Sequence, residues 1–591
     1  MIILGINAYH PDASVALLRD GELLWAAEEE RFNRVKHASG FPHLALKHCL
    51  EETGIPATAI DVVAVSKNPH ANFMKKVQFV LKYRPAKKLI LDRILAFRKF
   101  SHLDEDFYRD LHTTPGFLKA KFMYVEHHQS HIASSYYFSG FERAAFLSLD
   151  GMGDFSSAMW GLAEEGHLRV IDRVFFPHSA GFLYTAATQF LGFHKFGDEY
   201  KVMGLAGYGQ PKYLDLLRHV YHLKRNGGFE LNLRYFLHQE GAAKIRWKGG
   251  APEQDILFSR HWEEKLGRPR LPDEAITQRD KDIAASLQAA LEEIYFHVLR
   301  NLFQKTEESR LCLAGGCAFN SVANGKITKA TGFREIYIQP AAGDAGTAVG
   351  AAAFISYAVF KEPKRTVMNH AHFGSSFEER TLESCIQLKL KELEKEQDGN
   401  SKFFRAHFSE DELIAKTVEA LSEGKVVGWF QGKMEFGPRS LGARSILADP
   451  RNLDMKDILN RRIKHRETFR PFAPSVPEER AGEFFEMDCK SSPFMLKVFP
   501  VRPEKRSVLP AVTHVDGSAR VQTVSKEVNP LYWKLLEAFG KKTGVPVLLN
   551  TSFNEHEPIV CTPEEAIDCF VKTPMDVLVM GNYFLEKKIQ D

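Results

Sequence analysis

Cysteine is scarce in this chain, and the few present suit neither a disulfide framework nor a zinc ribbon. Seven cysteines are spread over 591 residues and no two form a C-x-x-C pair, which points to a reduced, cytoplasmic setting. No apolar run is long enough to span a bilayer, so no membrane partner is expected. The chain opens directly on an apolar strand, and no signal peptide is expected. There is no excess of one charge: 78 Lys and Arg stand against 75 Asp and Glu, a net of +3. A general nucleic-acid binder carries a strongly basic domain, so nucleic acid is not an expected partner. The 44% hydrophobic content is that of an ordinary globular protein. The length exceeds one compact core and calls for at least two domains.

Against this plain background one stretch stands out. The segments EFGPRSLGARSILADP and RRIKHRETFRPFAPS place Arg439, Arg444, Lys464, Arg466 and Arg470 close together in sequence. Gly437, Pro438 and Gly442 keep the backbone tight and let it approach a ligand. Guanidinium presents a planar fork of donors that matches carboxylate or phosphate. The stretch reads as a site for a small, highly charged anion, with a solvated basic face as the competing reading. Arg520 follows an Asp516-Gly517 turn in an alternating segment, as a basic group at a strand edge. Asn550 and Ser552 lie in NTSFN, directly after the apolar run VPVLL, which reads as a buried strand. An ordinary Asx or Ser turn remains an alternative for that pair.

The amino-terminal half contains a repeated pattern. IILGINA, YHPDAS, VALLRDG and ELLWAAE read as strand, polar loop, strand, tight turn and strand. AAFLSLD, GMGDF, SSAMWGLAEEG and LRVIDRV repeat that order after residue 143. Two copies imply a duplicated α/β fold of the kind built by acetate kinase, sugar kinases and heat-shock ATPases, with two loops facing a nucleotide cleft. Ile283, Leu287, Leu291, Ile294, Val298 and Leu302 recur at helical spacing as a core stripe. The segment after it, CLAGGCAFN, has Gly315 and Gly316, whose backbone amides can approach a nucleotide. His127 and His131 are four residues apart and share one helix face, a spacing that can chelate a transition metal. Asp150 and Asp344 each follow an apolar strand and open a glycine-rich turn, so they are candidates for the remaining ligands. Mixed nitrogen and oxygen donors suit iron, manganese or zinc.

GPRSLGARS, IKHRETFRPFAPS and NTSFN, together with NAYHPDAS, EEERFNRVKH and FGDEYKVMGLAGYGQP, resemble the O-carbamoyltransferase family, whose members act on nodulation factors and antibiotics. The resemblance spans nearly the whole chain. It implies an actin-like ATPase (ASKHA) amino-terminal domain and a carboxy-terminal α/β domain similar to the enzyme that builds threonylcarbamoyl-adenylate (YrdC-like). It also implies a carbamoyl phosphate site at Arg439, Lys464, Arg470, Arg520 and Ser552, with Arg444 and Asn550 as neighbours. The implied metal ligands are His127, His131, Asp150 and Asp344, with Fe(II) the favoured ion. ATP or adenylate would meet Gly151, Gly153, Lys201, Gly315, Gly316 and Asn320. His10 is the implied base toward an acceptor hydroxyl, and Lys36 would contact the phosphate or carbamoyl group. Pro11 follows His10 where the family often has Asp, which leaves the reach of that imidazole open.

The activity this implies is ATP-dependent O-carbamoylation of a small hydroxylated acceptor through carbamoyl-adenylate, with oligomerisation left open. A fused tRNA threonylcarbamoylation enzyme and a non-catalytic nucleotide-binding regulator are the competing readings. The expected division is residues 1–360, a polar linker over 361–404 and residues 405–591. Residues 72–100 form a basic segment with Asp92 as its one acidic residue; Val77, Val80, Leu81, Leu91, Ile94 and Leu95 interleave as an inserted helical pair, read first as simply solvated and otherwise as a cover for the acceptor cleft or a subunit contact.

Overall fold

The computed structural model describes the chain except residues 87–102, 115–116, 241–244, 364, 396–402 and 589–591. It divides into two units, Met1–Met368 and Asn369–Asp591.

In the first unit, β1 (Ile2–Asn7), β2 (Ser14–Arg19), β3 (Glu22–Glu28), β4 (Val62–Val65) and β5 (Lys121–Tyr124) form one sheet in the order β3-β2-β1-β4-β5. The first three strands are an antiparallel meander, and β4 and β5 run parallel to β1. Next come β6 (Arg143–Gly153), β7 (Ser156–Glu164) and β8 (His167–Phe175). Two short hairpins follow, β9 (Tyr221–Leu223) with β10 (Phe229–Leu231) and β11 (Ile245–Lys248) with β12 (Ala251–Gln254). Then β13 (Arg310–Ala314) and β14 (Glu335–Ile338) complete a second sheet, β8-β7-β6-β13-β14. Order and strand directions repeat those of the first sheet.

The repeat extends to the turns. Asp20-Gly21 joins β2 to β3 and Glu165-Gly166 joins β7 to β8, both pairs with φ between +49° and +82°. Two-residue links of this hand match the twist of the strands they join. The duplicated α/β architecture expected from the sequence is present. The 29-residue helix Gln278–Thr306 starts at a capping box of Thr277 and Asp280 and buries the predicted stripe from Ile283 to Leu302. The first half of the predicted helical pair is the helix Phe73–Tyr83. Its second half falls within 87–102, outside the described residues.

The helix Gly346–Ala353 is made almost entirely of small residues and lies between the helix His127–Tyr136 and β1. Backbone meets backbone there. A Cβ on Gly5 would stand 2.0 Å from the Ala348 carbonyl oxygen, and one on Gly350 1.7 Å from that of Ser130. This close approach fixes Asp344, just before one helix, relative to the histidines on the other.

The second unit is also α/β, with β15 (Phe403–His407), β16 (Val427–Phe430), β17 (Arg444–Ala448) and β18 (Ala473–Pro477) leading. A small two-stranded ribbon, β19 (Phe499–Pro500) with β20 (Ser518–Ala519), precedes β21 (Gln522–Val524). The strands β22 (Leu548–Ser552), β23 (Val577–Met580) and β24 (Tyr583–Lys587) complete it. One mixed sheet of eight strands results, β15-β24-β23-β16-β17-β22-β18-β21. The boundary between the units falls inside 361–404, but that stretch is not a plain linker. Its helix Glu379–Lys395 buries Leu382, Cys385 and Ile386 in the core of the second unit.

A side chain at Gly350 must push two backbones apart. Gly350→Ala is expected to lower unfolding stability by about 2–3 kcal/mol, read by chemical denaturation. An unchanged midpoint would show that the close approach is not required.

Candidate functional site

In both sheets of the first unit the parallel strands end on the chemistry-bearing loops, the usual ligand side of open α/β sheets. His10 follows β1, the histidine helix follows β5, Asp150 lies in β6, Gly315 follows β13 and Asp344 follows β14. These loops bring His127, His131, Asp150 and Asp344 together, with one potential ligand atom of each within 4.8 Å of every other. The two Nε2 atoms are 3.1 Å apart. Asp150 Oδ2 lies 3.4 Å and 3.9 Å from them, and Asp344 Oδ1 3.6 Å from both. His128 turns away, its Nδ1 2.8 Å from the Ser148 hydroxyl.

Burial alone would strip the charge from both imidazoles. At His131 the two carboxylates outweigh it and push the ring up to about 9. Burial and the neighbouring His131 hold His127 below its ordinary range. Asp344 Oδ1 is buried without a hydrogen-bond partner while facing both imidazoles. An orphaned carboxylate oxygen beside two converging ring nitrogens fits a divalent cation.

Glycine supports this cluster in two ways. A Cβ on Gly153 would lie 1.9 Å from the His127 ring, so its role here is to admit that imidazole. The Gly316 amide donates to Asp150 Oδ1 at 2.8 Å and aims the carboxylate. Gly315 has φ +89°, and a Cβ there would stand 2.4 Å from the Leu149 carbonyl oxygen. Gly151 packs against Gly181.

His10 reaches the cluster despite Pro11. Its Nδ1 is 2.5 Å from Asp344 Oδ2, so one carboxylate touches both the cluster and His10. Tyr9 and Asp12 take left-handed φ of +55° and +56°, and Asn7 donates to the Pro11 and Asp12 carbonyls, which folds the loop sharply at His10. Other predicted residues are placed differently. Lys36 is exposed. Lys201 is paired with Asp198 at 3.0 Å. Asn320 exchanges amide hydrogen bonds with Gln288 and caps the helix Ser321–Asn324, so its side chain is committed internally. Sequence reading passed over His37, whose Nδ1 is 2.8 Å from Asp12 and whose amide donates to Glu30. Its position next to Lys36 in the same motif was the available signal.

In the second unit, β17, β18 and β21 begin where β22 ends, because β22 runs antiparallel to β17 and β18. That end of the sheet collects Arg439, Lys464, Arg466, Arg470, Arg520 and Ser552. Arg520 sits in the link between β20 and β21. Burial, and then the like charges of Arg439, Arg466 and Arg470, hold its guanidinium well below the ordinary arginine range. Its Nε is buried with no hydrogen-bond partner. Lys464 is 2% exposed and lies within 2.8 Å of the Ser552 and Asn554 carbonyls and Asn554 Oδ1. Asn550 donates to the Ser440 carbonyl, the Ser475 hydroxyl and Gln522 Oε1, tying three strands to the arginine loop.

Arg444 is not available to a ligand in the way expected. It stacks 3.7 Å from the Phe430 ring centroid and donates to the Gln431, Gly432 and Ser375 carbonyls, so it serves the scaffold. The organiser of the loop is Glu435, missed in the sequence. Its Oε1 accepts the amides of Leu441, Ala443 and Arg444 at 2.7, 2.8 and 3.2 Å, and the residue is 2% exposed. Gly442, with φ +101°, lies against Tyr532, where a Cβ would stand 2.4 Å from the ring.

The carbamoyltransferase N-terminus profile matches residues 2–353, and the carbamoyltransferase C-terminus profile matches residues 418–587. The chain belongs to the carbamoyltransferase family. It is 39% identical to the uncharacterised protein sll1178 of Synechocystis over all of this chain and 97% of that protein. It is 39% identical to nodulation protein NolNO of Sinorhizobium fredii over 98% of this chain and 80% of the relative. The 3'-hydroxymethylcephem-O-carbamoyltransferase of Amycolatopsis lactamdurans is 36% identical over 46% of this chain and 48% of its own length.

Two substitutions check the geometry. His131→Ala should reduce metal content, measured by elemental analysis after purification, to less than about a tenth of wild type; full occupancy would contradict the cluster. Glu435→Ala leaves three amides without their acceptor and should cost about 3 kcal/mol, whereas Glu435→Gln should keep most of that stability. Equal unfolding midpoints for the two would contradict the organising role.

Proposed function

We propose that this carbamoyltransferase is ATP-dependent and acts through carbamoyl-adenylate on a hydroxyl of a small, natural-product acceptor. The observation that carries the reading is the set of four arginines gathered at one sheet end, with Arg520 destabilised by its neighbours. A bound dianion offsets the mutual repulsion of these arginines and adds charge-assisted hydrogen bonds worth about 1.5–3 kcal/mol each. Carbamoyl phosphate has the matching charge. Arg439, Arg470 and Arg520 contact its phosphate in this reading, Lys464 holds the Ser552 and Asn554 carbonyls beside the site, and Ser552 and Asn550 Oδ1 meet its carbamoyl end.

The chemistry proceeds in three balanced steps. Water cleaves carbamoyl phosphate to carbamate and phosphate. A carbamate oxygen attacks the α-phosphorus of ATP, forming carbamoyl-adenylate and releasing pyrophosphate. The acceptor hydroxyl then attacks the carbamoyl carbon, the bond to AMP breaks, and AMP leaves with the electron pair. Asp344 engages Nδ1 of His10, which leaves Nε2 to take the hydroxyl proton. Gly151 and the Gly315–Gly316 turn lie beside the cluster and suit the nucleotide. His127, His131, Asp150 and Asp344 would hold a divalent cation, iron in this reading, which when bound would supply positive charge beside the nucleotide phosphates. The cephem relative's name specifies O-carbamoylation, which supports a hydroxyl acceptor. The chain's reduced cysteines fit a cytoplasmic enzyme.

Arg520→Ala and Arg470→Ala should each lower carbamoyl phosphate-dependent pyrophosphate release by roughly a hundredfold or more, with ATP affinity unchanged. Wild-type release from both variants would overturn the anion-site assignment.

A further inference from the structure

The helix Phe73–Tyr83 has an outward face that nothing in the proposed reaction uses. Phe73 is 63% exposed, Met74 65%, Leu81 72% and Val80 38%. With Val77 they fall at helical spacing on one stripe. Four large exposed apolar side chains on one short helix form a contiguous patch, unlike the single apolar residues scattered over any surface. Lysines and an arginine accompany the stripe: Lys75, Lys76, Lys82 and Arg84. No acidic residue occurs between Lys67 and Ala86.

The opposite face is firmly seated. Phe79 is 7% exposed and packs against Phe155 and Phe176, with ring centroids 5.7 and 5.0 Å away. Asn72 donates to the Asp154 carbonyl at 2.8 Å. The Lys75 ammonium lies 5.2 Å from the Phe175 ring centroid and that of Lys82 4.8 Å from the Tyr83 ring, so both chains drape over aromatics at the flanks of the stripe. Glu230, on β10, is the acidic group that acts on Lys82 from a neighbouring element.

We infer that this helix is a peripheral docking surface for an anionic lipid membrane. Apolar side chains flanked by lysines suit the boundary between acyl chains and acidic headgroups. A second copy of the chain is disfavoured as occupant, because a symmetric contact would set the same positive charges against each other. A nucleic acid would leave Phe73, Met74 and Leu81 without a role. Among the described residues no helix is long and apolar enough to cross a bilayer, so the helix lies on the surface. The inference departs from the sequence-based expectation of no membrane partner, and it stands independently of the reaction.

The test is flotation of the full-length protein with phosphatidylcholine vesicles and with the same vesicles containing phosphatidylglycerol. Binding is expected to the anionic vesicles alone and to weaken as salt rises. Lys75→Gln with Lys82→Gln should weaken it roughly twentyfold. Phe73→Ser, Met74→Ser and Leu81→Ser combined should weaken it roughly a hundredfold. All five side chains lie on the surface or its flank, so the midpoint of chemical denaturation should match wild type and reports that the variants fold. No binding to anionic vesicles overturns the inference, as does undiminished binding by both variants. Concentration-dependent self-association that the serine variant abolishes, without vesicle binding, would assign the face to a second copy instead.

Discussion

The second unit gathers like charges at one end of its sheet. Arg439, Arg466 and Arg470 all act against the charge of Arg520, and the fold holds them together nonetheless. The means are visible around them. Glu435 is buried beneath the loop and binds three of its amides. Asn550, Ser475 and Gln522 stitch neighbouring strands beneath it. Phe430 carries the Arg444 guanidinium on its face. A loop secured this way keeps its cations in place, which is what electrostatic preorganisation for the proposed anion requires.

The first unit meets the same kind of demand with opposite charges. Two carboxylates and two imidazoles converge in a buried space because glycine and alanine let the supporting backbones touch. Gly350 and Gly5 set the helix Gly346–Ala353 against its neighbours. Gly153 admits the His127 ring, and Gly316 holds Asp150 by its amide. Asp344 then links the cluster to His10 through its second oxygen. The glycine-rich loops thus act first on the protein's own ligand atoms. Backbone that is this close to the cluster is also well placed for a nucleotide's phosphates.

Much of this was legible in the sequence. The duplicated strand pattern announced itself through DG and EG turns, and the histidine spacing put His127 and His131 on one face. Asp150 and Asp344 stand out because carboxylates at the ends of apolar strands fall on the ligand side of such a sheet. Side-chain commitments were harder to read. An arginine that stacks on Phe430 and feeds four carbonyls has the same letter as one that binds a ligand, so nothing in the sequence marks Arg444 as part of the scaffold. Asn320 was spent on Gln288, a residue 32 positions away in the chain, and no local pattern reveals such a partner. Glu435 looked like any acidic residue before a glycine; only the folded loop shows what its oxygen collects.

The proposed reaction turns on transfer of the carbamoyl group from phosphate to adenylate on this protein. The direct measurement follows isotope-labelled carbamoyl phosphate by carbonyl NMR after mixing with metal-loaded enzyme and ATP, without acceptor. If the transfer occurs, a new carbonyl resonance from carbamoyl-adenylate appears in step with pyrophosphate and is absent when ATP is withheld. Loss of the label to carbamate and bicarbonate at the same rate with or without ATP, and no pyrophosphate, would contradict it.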